Sequence, residues 1–462
     1  MPQGPTTKKI LPFILATAIF MQMLDSTILN TSLSAIAEDL NESPLHMQNA
    51  VVSYVLTLAI FMPVSGYLAD RFGTRKIFVF AIGLFILGSI FCAASQSLNQ
   101  LVISRVIQGL GGSLMTPVGR LALIKTYDKN ELLQALNYAV TPALIGPVLG
   151  PLVGGYMVDW FSWHWIFLIN IPIGLAGIIL GLKYLPDYKD AGGQFDFKGF
   201  LIFGLASLML SISIELFGNV KNTTPILLIL VVGFLLFYLY YRHATKVKKP
   251  LFPLDLFQIR TFRVGMIGNL ATRLGISAIP LLLPLLVQMA YGGSAIVSGW
   301  IVAPMALTAM FGKSAVLRIL NRIGYRKTLR INTIIIGVLI MCLAIPSVTT
   351  SIYWFIPLLG LLGFFNSIQF TSMNTISLAN LRNFHTSSGN SLLAVNQQLA
   401  IGFGISFGLL VLRFFTLQSP DDSIGLHEAF RYTFLTVGFI TIVMGNVFRR
   451  LHPFDGNNLK SQ

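Results

Sequence analysis

Asp25 sits inside an apolar run that reaches from Leu11 to about Ser34. A carboxylate in such surroundings is costly to keep and is usually functional. Loss of water favours its protonated form and a nearby cation its charged form, so a change in exposure would load or release a proton. It could equally be half of a permanent structural ion pair. Arg105, near the start of another apolar run, could share its depth if the two segments are neighbours. A second constellation, Asp70-Arg71-Phe72-Gly73-Thr74-Arg75-Lys76, is a short charged turn between apolar runs. There Asp70 could pair with Arg71 or Arg75, or meet the positive N-terminus of another helix. Arg273 lies deep in a third run, far from either end, where a cargo-facing role is the natural expectation.

The elements that carry these groups are membrane spans. Of 462 residues, 54% are apolar and only 11% charged, about half the charged share of a soluble protein. The mean hydropathy is +0.74. Fourteen apolar stretches, from 11–33 to 431–449, are each long enough for a bilayer core, which is about 30 Å thick. The first follows Lys8 and Lys9 and is too long for the core of a signal peptide. Cys92 and Cys342 both fall within apolar stretches and read as packing residues, not a disulfide.

The charged turn returns 251 residues later as Asn321-Arg322-Ile323-Gly324-Tyr325-Arg326-Lys327. Stretches starting near 11, 47, 77, 101 and 137 have counterparts near 262, 298, 328, 352 and 388, at the same offset. That is the pattern of a duplicated bundle. The expected organisation is a six-helix bundle over residues 1–198, two inserted spans over 199–245, and a linker with a second six-helix bundle over 246–462. The polar linkers are Asp187 to Lys198 and Arg242 to Arg263, the latter with room for a short amphipathic helix around Leu251, Phe252, Leu254, Leu256 and Phe257. Of the 32 Lys and Arg residues, 25 fall on one side of the spans, three on the other and four within them. The basic side is cytoplasmic by the positive-inside rule and holds both termini. The net charge of +15 is thus a topology signal and not a nucleic-acid footprint.

Several motifs resemble those of the major facilitator superfamily and its fourteen-span drug:proton antiporter branch. Gly66-Tyr67-Leu68-Ala69 followed by the Asp70–Lys76 turn resembles the cytoplasmic loop signature, and Leu24-Asp25-Ser26-Thr27-Ile28-Leu29-Asn30 the branch's first-helix signature. Arg105-Val106-Ile107-Gln108-Gly109 is similar to the intramembrane arginine motif, and Gly146-Pro147-Val148-Leu149-Gly150-Pro151-Leu152-Val153-Gly154-Gly155 to the antiporter motif. Ser162 to Pro172, with Asn170, completes the pattern. The resemblance covers essentially the whole chain. It implies an all-α membrane fold of two pseudo-symmetric six-helix bundles that open alternately inward and outward. It also implies a proton carrier at Asp25 tuned by Arg105, and an inner-gate latch built from Gly66, Asp70, Arg71, Gly73, Arg75 and Lys76. A plain basic turn that only fixes topology would use the same residues. The stripe Gly146, Pro147, Gly150, Pro151, Gly154 and Gly155 allows close helix approach, as a fixed or a moving seam.

Further polar groups are candidates for contact with cargo. Arg120 lies fifteen residues beyond Arg105, roughly 22 Å along a helix axis and about 60° around it, so it could face the same space or snorkel to the interface. Lys313 is expected to snorkel. Asn30, Gln108, Arg273, Asn366, Gln369, Asn396 and Gln397 could line a cargo site, and the amides could equally join helices. Gly404-Ile405-Ser406-Phe407-Gly408 spells a nucleophile elbow but lies in an apolar stretch. Gly312-Lys313-Ser314 imitates a phosphate loop without its first glycine. The expectation is a monomeric bacterial inner-membrane transporter and not an enzyme, with small-molecule cargo, protons and lipid as its partners. No cofactor or metal is expected, and the proton gradient supplies the work. Drug-like amphipathic cargo and organic anions such as carboxylates are the two candidate classes; a non-transporting receptor is a remote third.

Overall fold

The computed structural model describes residues 5–190, 194–217, 224–381, 386–419 and 423–457. Residues 191–193, within the first polar linker, lie outside the described residues. Among the described residues every regular element is a helix. In chain order these are α1 (Pro5–Ile28), α2 (Leu33–Asp39), α3 (Gln48–Phe61), α4 (Val64–Phe72), α5 (Thr74–Ala93), α6 (Leu98–Thr126), α7 (Lys129–Ala143), α8 (Gly146–Trp160), α9 (Trp165–Leu168) and α10 (Asn170–Tyr184). They continue as α11 (Phe197–Leu216), α12 (Thr224–Ala244), α13 (Arg260–Ile276), α14 (Ile279–Leu285), α15 (Ala295–Ile323), α16 (Tyr325–Cys342), α17 (Phe355–Leu378), α18 (Thr386–Thr416) and α19 (Ser423–Met444).

Twelve helices among the described residues are long and apolar enough to cross a membrane, or thirteen if the bent pair α3 and α4 is one span. That pair turns by 58° at Met62 and Pro63, where proline removes a backbone donor and cannot continue the hydrogen-bond ladder. The stretch expected over 329–347 is α16, 18 residues long and opening on Arg326, Lys327 and Arg330. Those charges occupy much of its length. Helices α7 and α8 together supply one of the twelve, over Gln134–Trp160, with a break before Gly146 and with Pro147 in the first turn of α8.

The chain divides into two compact units, Met1–Phe195 with Ser294–Gly299, and Asp196–Gly293 with Trp300–Gln462. In the first, α1 packs on α6, α8 and α10, and α5 on α6 and α10. In the second, α13 packs on α17, α18 and α19, and α16 on α17 and α19. The same scaffold thus occurs twice, as the repeated sequence offset suggests. The inserted α11 and α12 pack on each other, and α11 also packs on α18, so both fall in the second unit.

The linker after α12 differs from the amphipathic helix expected of it. Pro250 and Pro253 interrupt it, and only a 3-10 turn, Leu254–Gln258, forms. Phe252 instead packs edge-on against the rings of both Phe203 and Tyr240, which also touch each other. Asp196 accepts hydrogen bonds from Leu251 N at 3.0 Å, Gly199 N at 2.8 Å and His243 Nε2 at 2.7 Å. This clamp joins both inserted helices to the linker.

Candidate functional site

In the first unit small residues bring the polar side chains together. A Cβ on Gly88 would lie 2.5 Å from the Gln108 backbone, and one on Gly111 2.5 Å from Phe85 N. Only glycine permits this approach of α5 to α6. On the other side of α1, a Cβ on Gly146 would meet Leu24 N at 3.1 Å, and one on Gly154 would meet Ile28 O at 2.5 Å. Gly150 packs equally tightly on Thr27. The stripe therefore seats α8 against the half of α1 that carries Asp25. Gly155 points away, toward Ala295 and Ile296 at the start of α15, where Ile296 N donates to Asp159 Oδ2 at 3.0 Å.

These helices enclose a polar cage. Asp25 and Arg105 are each 1% exposed. Arg105 Nη1 donates to Asp25 Oδ2 at 2.6 Å and to Gln108 Oε1 at 2.5 Å, while Nε donates to Ala50 O at 3.1 Å. The guanidinium lies over the Tyr54 ring, 4.1 Å from its centre. Gln108 Nε2 donates to Asp25 Oδ1 at 2.7 Å and to Ser89 Oγ at 2.8 Å. Asn170 Nδ2 donates to Asp25 Oδ1 at 3.0 Å. Asp25 thus accepts hydrogen bonds from one arginine and two amides. The sequence pointed to Asp25 and Arg105 as partners and to Gln108 as a cargo-lining residue; the structure instead places Gln108 in the cage with the other two. Asn170 was visible only as part of the Ser162–Pro172 motif, without a role, and Ser89 and Tyr54 were not foreseen. Asn170 carries the sole amide of α10, which was a usable signal; Ser89 and Tyr54 gave none.

Asn30 is buried in the 3-10 turn Leu29–Thr31 that closes the first span, outside the cage. Arg120 is exposed on α6 and also outside it.

The charged turn is wired differently from the expected pairing of Asp70 with Arg71 or Arg75. Asp70 Oδ1 accepts from Lys125 Nζ at 3.1 Å, and Lys125 also reaches Asp190 Oδ2 at 2.6 Å. Arg71 donates to the Tyr67 hydroxyl at 2.6 Å, and Arg75 Nε to Leu185 O at 2.5 Å. The cause is the segment 185–190, which runs along the turn. Thr74 Oγ1 donates to Pro186 O at 2.7 Å, and Asp187 Oδ1 accepts from Arg75 N at 3.1 Å. Gly73 adopts φ +103° beside Asp187, a conformation and a gap that no larger residue fits. Lys76 is exposed, and Gly66 has no neighbour that demands a glycine.

In the second unit Arg273 Nε donates to Asn269 Oδ1 at 2.8 Å, and its guanidinium lies 4.9 Å from the centre of the Phe370 ring. No carboxylate among the described residues pairs with it. The amides mostly join helices. Gln369 accepts from Asn332 Nδ2 at 2.9 Å and donates to Thr333 Oγ1 at 2.9 Å. Asn396 donates to Met266 O at 3.1 Å, and Gln397 to Asn374 Oδ1 at 2.8 Å. Asn366 is half-buried on α17. The imitation motifs lie inside helices, Ser406 buried in α18 and Lys313 on α15. Cys92 and Cys342 are free thiols.

The Major Facilitator Superfamily profile matches residues 15–405. The probable transport protein HsrA of Haemophilus influenzae is 41% identical over 452 residues, 97% of this chain and 97% of that protein. The multidrug resistance protein MdtD of Pectobacterium atrosepticum is 40% identical over 448 residues, 96% of this chain and 95% of that protein. Among solved structures, a peptide transporter in complex with sulfate superimposes with a TM-score of 0.72 at 14% identity, covering 98% of this chain and 96% of its own. The nucleoside transporter NupG gives 0.68 at 13% identity, covering 95% and 99%. At such identities the structures speak for the fold alone. Relatives, profile and fold agree, and the chain belongs to the major facilitator superfamily as a multi-pass membrane transporter.

Proposed function

We propose that this transporter is a proton-coupled antiporter that exports drug-like amphipathic small molecules across the bacterial inner membrane by alternating access. In this reading it is a monomer of fourteen spans with both termini in the cytoplasm. The cage around Asp25 carries the proposal: it holds a buried acid that accepts hydrogen bonds from one arginine and two amides. A proton that reached Asp25 would cancel that charge and loosen its hold on Arg105. The 66–76 turn acts as the gate latch and the 146–155 stripe as the moving seam. One proton entering down about 100 mV supplies roughly 2.3 kcal/mol, enough for about a fiftyfold solute gradient. Cargo of the drug type is supported by the name of relatives such as MdtD.

Arg273 supports a second reading, export of organic anions. A cavity for cations is expected to add acids, whereas here a half-buried arginine has only an amide and a phenyl ring beside it. Everted vesicles with an imposed pH gradient, offered a lipophilic cation and a set of carboxylates, test both. Asp25→Asn abolishes proton-driven flux of every cargo; unchanged flux would overturn the carrier assignment. Loss of carboxylate flux alone in Arg273→Gln selects the anion reading.

A further inference from the structure

Asn170 opens α10, and in the proton cycle above it serves only as a donor to the charged form of Asp25. Its amide nitrogen donates to Asp25 Oδ1 at 3.0 Å and to Ser89 Oγ at 3.4 Å. Its amide oxygen is buried and has no hydrogen-bond donor. Buried acceptors are rarely left this way without a reason.

The two protonation states of Asp25 supply one. A carboxylate only accepts, and the cage offers it three donors. A carboxylic acid also has an O–H to place. The nearby acceptors are engaged. Gln108 Oε1 accepts from Arg105 Nη1 and Cys92 Sγ. Ser89 Oγ accepts from two amides and gives its own proton to Phe85 O. Ala50 O accepts from Arg105 Nε. The Asn170 oxygen is free, and it belongs to an amide that already touches Asp25.

Resting on the assignment of Asp25 as proton carrier, we propose that Asn170 is a positioning residue whose amide turns over to serve both states of that acid. With Asp25 charged, Nδ2–H donates to Oδ1. A hydronium ion gives its proton to Oδ1: one of its O–H bonds breaks, a carboxyl O–H bond forms, and a water molecule leaves. The Asn170 amide then makes a half-turn, and its oxygen accepts the new proton. The half-turn gives up the two bonds of Nδ2, to Asp25 Oδ1 and the long one to Ser89 Oγ, and gains one strong bond from the new O–H. No covalent bond changes beyond the proton's transfer. The titratable and charged groups around the pair are Tyr54 on α3, Cys92 on α5 and Arg105 on α6. Arg105 is donor-only, and Cys92 already points at Gln108. The Tyr54 hydroxyl is buried without a partner and is the rival acceptor, although no hydrogen bond joins it to the cage.

Removing the amide takes one of three donors from the charged form but the adjacent free acceptor from the protonated form, which is left with only the Tyr54 hydroxyl as a rival. The protonated form therefore suffers more, and proton uptake needs more acid. The test is infrared difference spectroscopy of the reconstituted full-length transporter during a pH titration, alongside proton-driven flux against pH in everted vesicles. Wild type compared with Asp25→Asn is expected to show a carboxyl band that appears with acid and an amide carbonyl shift that accompanies it. Asn170→Leu, and the smaller Asn170→Ala, are expected to keep the carboxyl band and lose the amide shift. Both also move the band midpoint and the flux profile by about one pH unit toward acid, a tenfold change in proton concentration. A uniform loss of flux with unmoved midpoints would mean a merely structural role and overturn the proposal. So would a shift that appears in Tyr54→Phe instead. A wild type without the acid-dependent carboxyl band would sink the carrier assignment itself, a separate failure.

Discussion

Arg105 and Arg273 both lie inside apolar helices, one in each unit, and their surroundings have little in common. Arg105 is 1% exposed, with a carboxylate at 2.6 Å, an amide oxygen and a backbone carbonyl around it. Arg273 is only half-buried, with one amide oxygen and one phenyl ring. The duplication sharpens the contrast. At the 251-residue offset, Ile276, Ile356 and Leu359 stand where the first half has Asp25, Arg105 and Gln108. Gln22 stands where the second half has Arg273, and it accepts from Thr116 Oγ1 at 2.6 Å. The helices were kept while the polar groups diverged. A cation whose charge is met inside the protein is an internal device. A cation met only by an amide and a ring has capacity left for a ligand.

Removing the paired cation has the largest expected effect. Arg105→Met leaves Asp25 buried without its counter-charge and lowers stability on the order of 3–5 kcal/mol. The measurement is thermal unfolding in detergent. Asp25→Asn combined with Arg105→Met recovers most of that loss, since neither charge then remains. If the single and double variants melt together, the pair does not act as a unit and the contrast with Arg273 collapses.

Asp196 is the second unit's own well-paired carboxylate, placed outside the spans. Burial favours its neutral form, yet hydrogen bonds from His243, Gly199 N and Leu251 N prevail and hold its pKa below the ordinary 3.8. Its contribution is complete above that ordinary value and is lost as pH falls through the depressed one. Asp196→Asn is expected to cost about 1–2 kcal/mol at neutral pH, and the difference from wild type to vanish in strong acid. A difference that persists there would mean the clamp works by shape and not by charge.

How much of this was visible in the sequence differs by region. Spans and duplication are written in apolar runs and a repeated turn, because bilayer thickness imposes length and hydropathy directly. Asp25 and Arg105 were legible because charge inside an apolar run has no cheap explanation. Ser89 and Tyr54 were not, and Asn170 only as a motif residue without a partner, since ordinary polar residues become a cage only when α3, α5 and α10 converge on α1 and α6. Glycines such as Gly88 permit that convergence, but a glycine in a span does not name the residue it faces. The pairing of Asp70 misled for a similar reason. Neighbours in sequence, Arg71 and Arg75, lost to Lys125, which α6 brings alongside, and to a strap at 185–190 that no local pattern announces.

Arg273→Met is the counterpart of Arg105→Met and is expected to move stability least, by less than about 1 kcal/mol. The variant strands no acid, because no carboxylate among the described residues faces Arg273, so the penalty for an orphaned counter-charge does not arise. Asn269 loses one donor to its Oδ1, a small cost where water reaches the helix, and removal of a cation from apolar surroundings offsets part of it. The difference should emerge when ligand is added. Carboxylates at millimolar concentration are expected to raise the melting temperature of wild type and to leave Arg273→Met unmoved, since only a state with an unmet charge gains from an anion. Equal stabilisation of both would show that Arg273 does not receive the anion. A large loss of stability without ligand would show that its charge is met within the protein after all, making the two arginines alike.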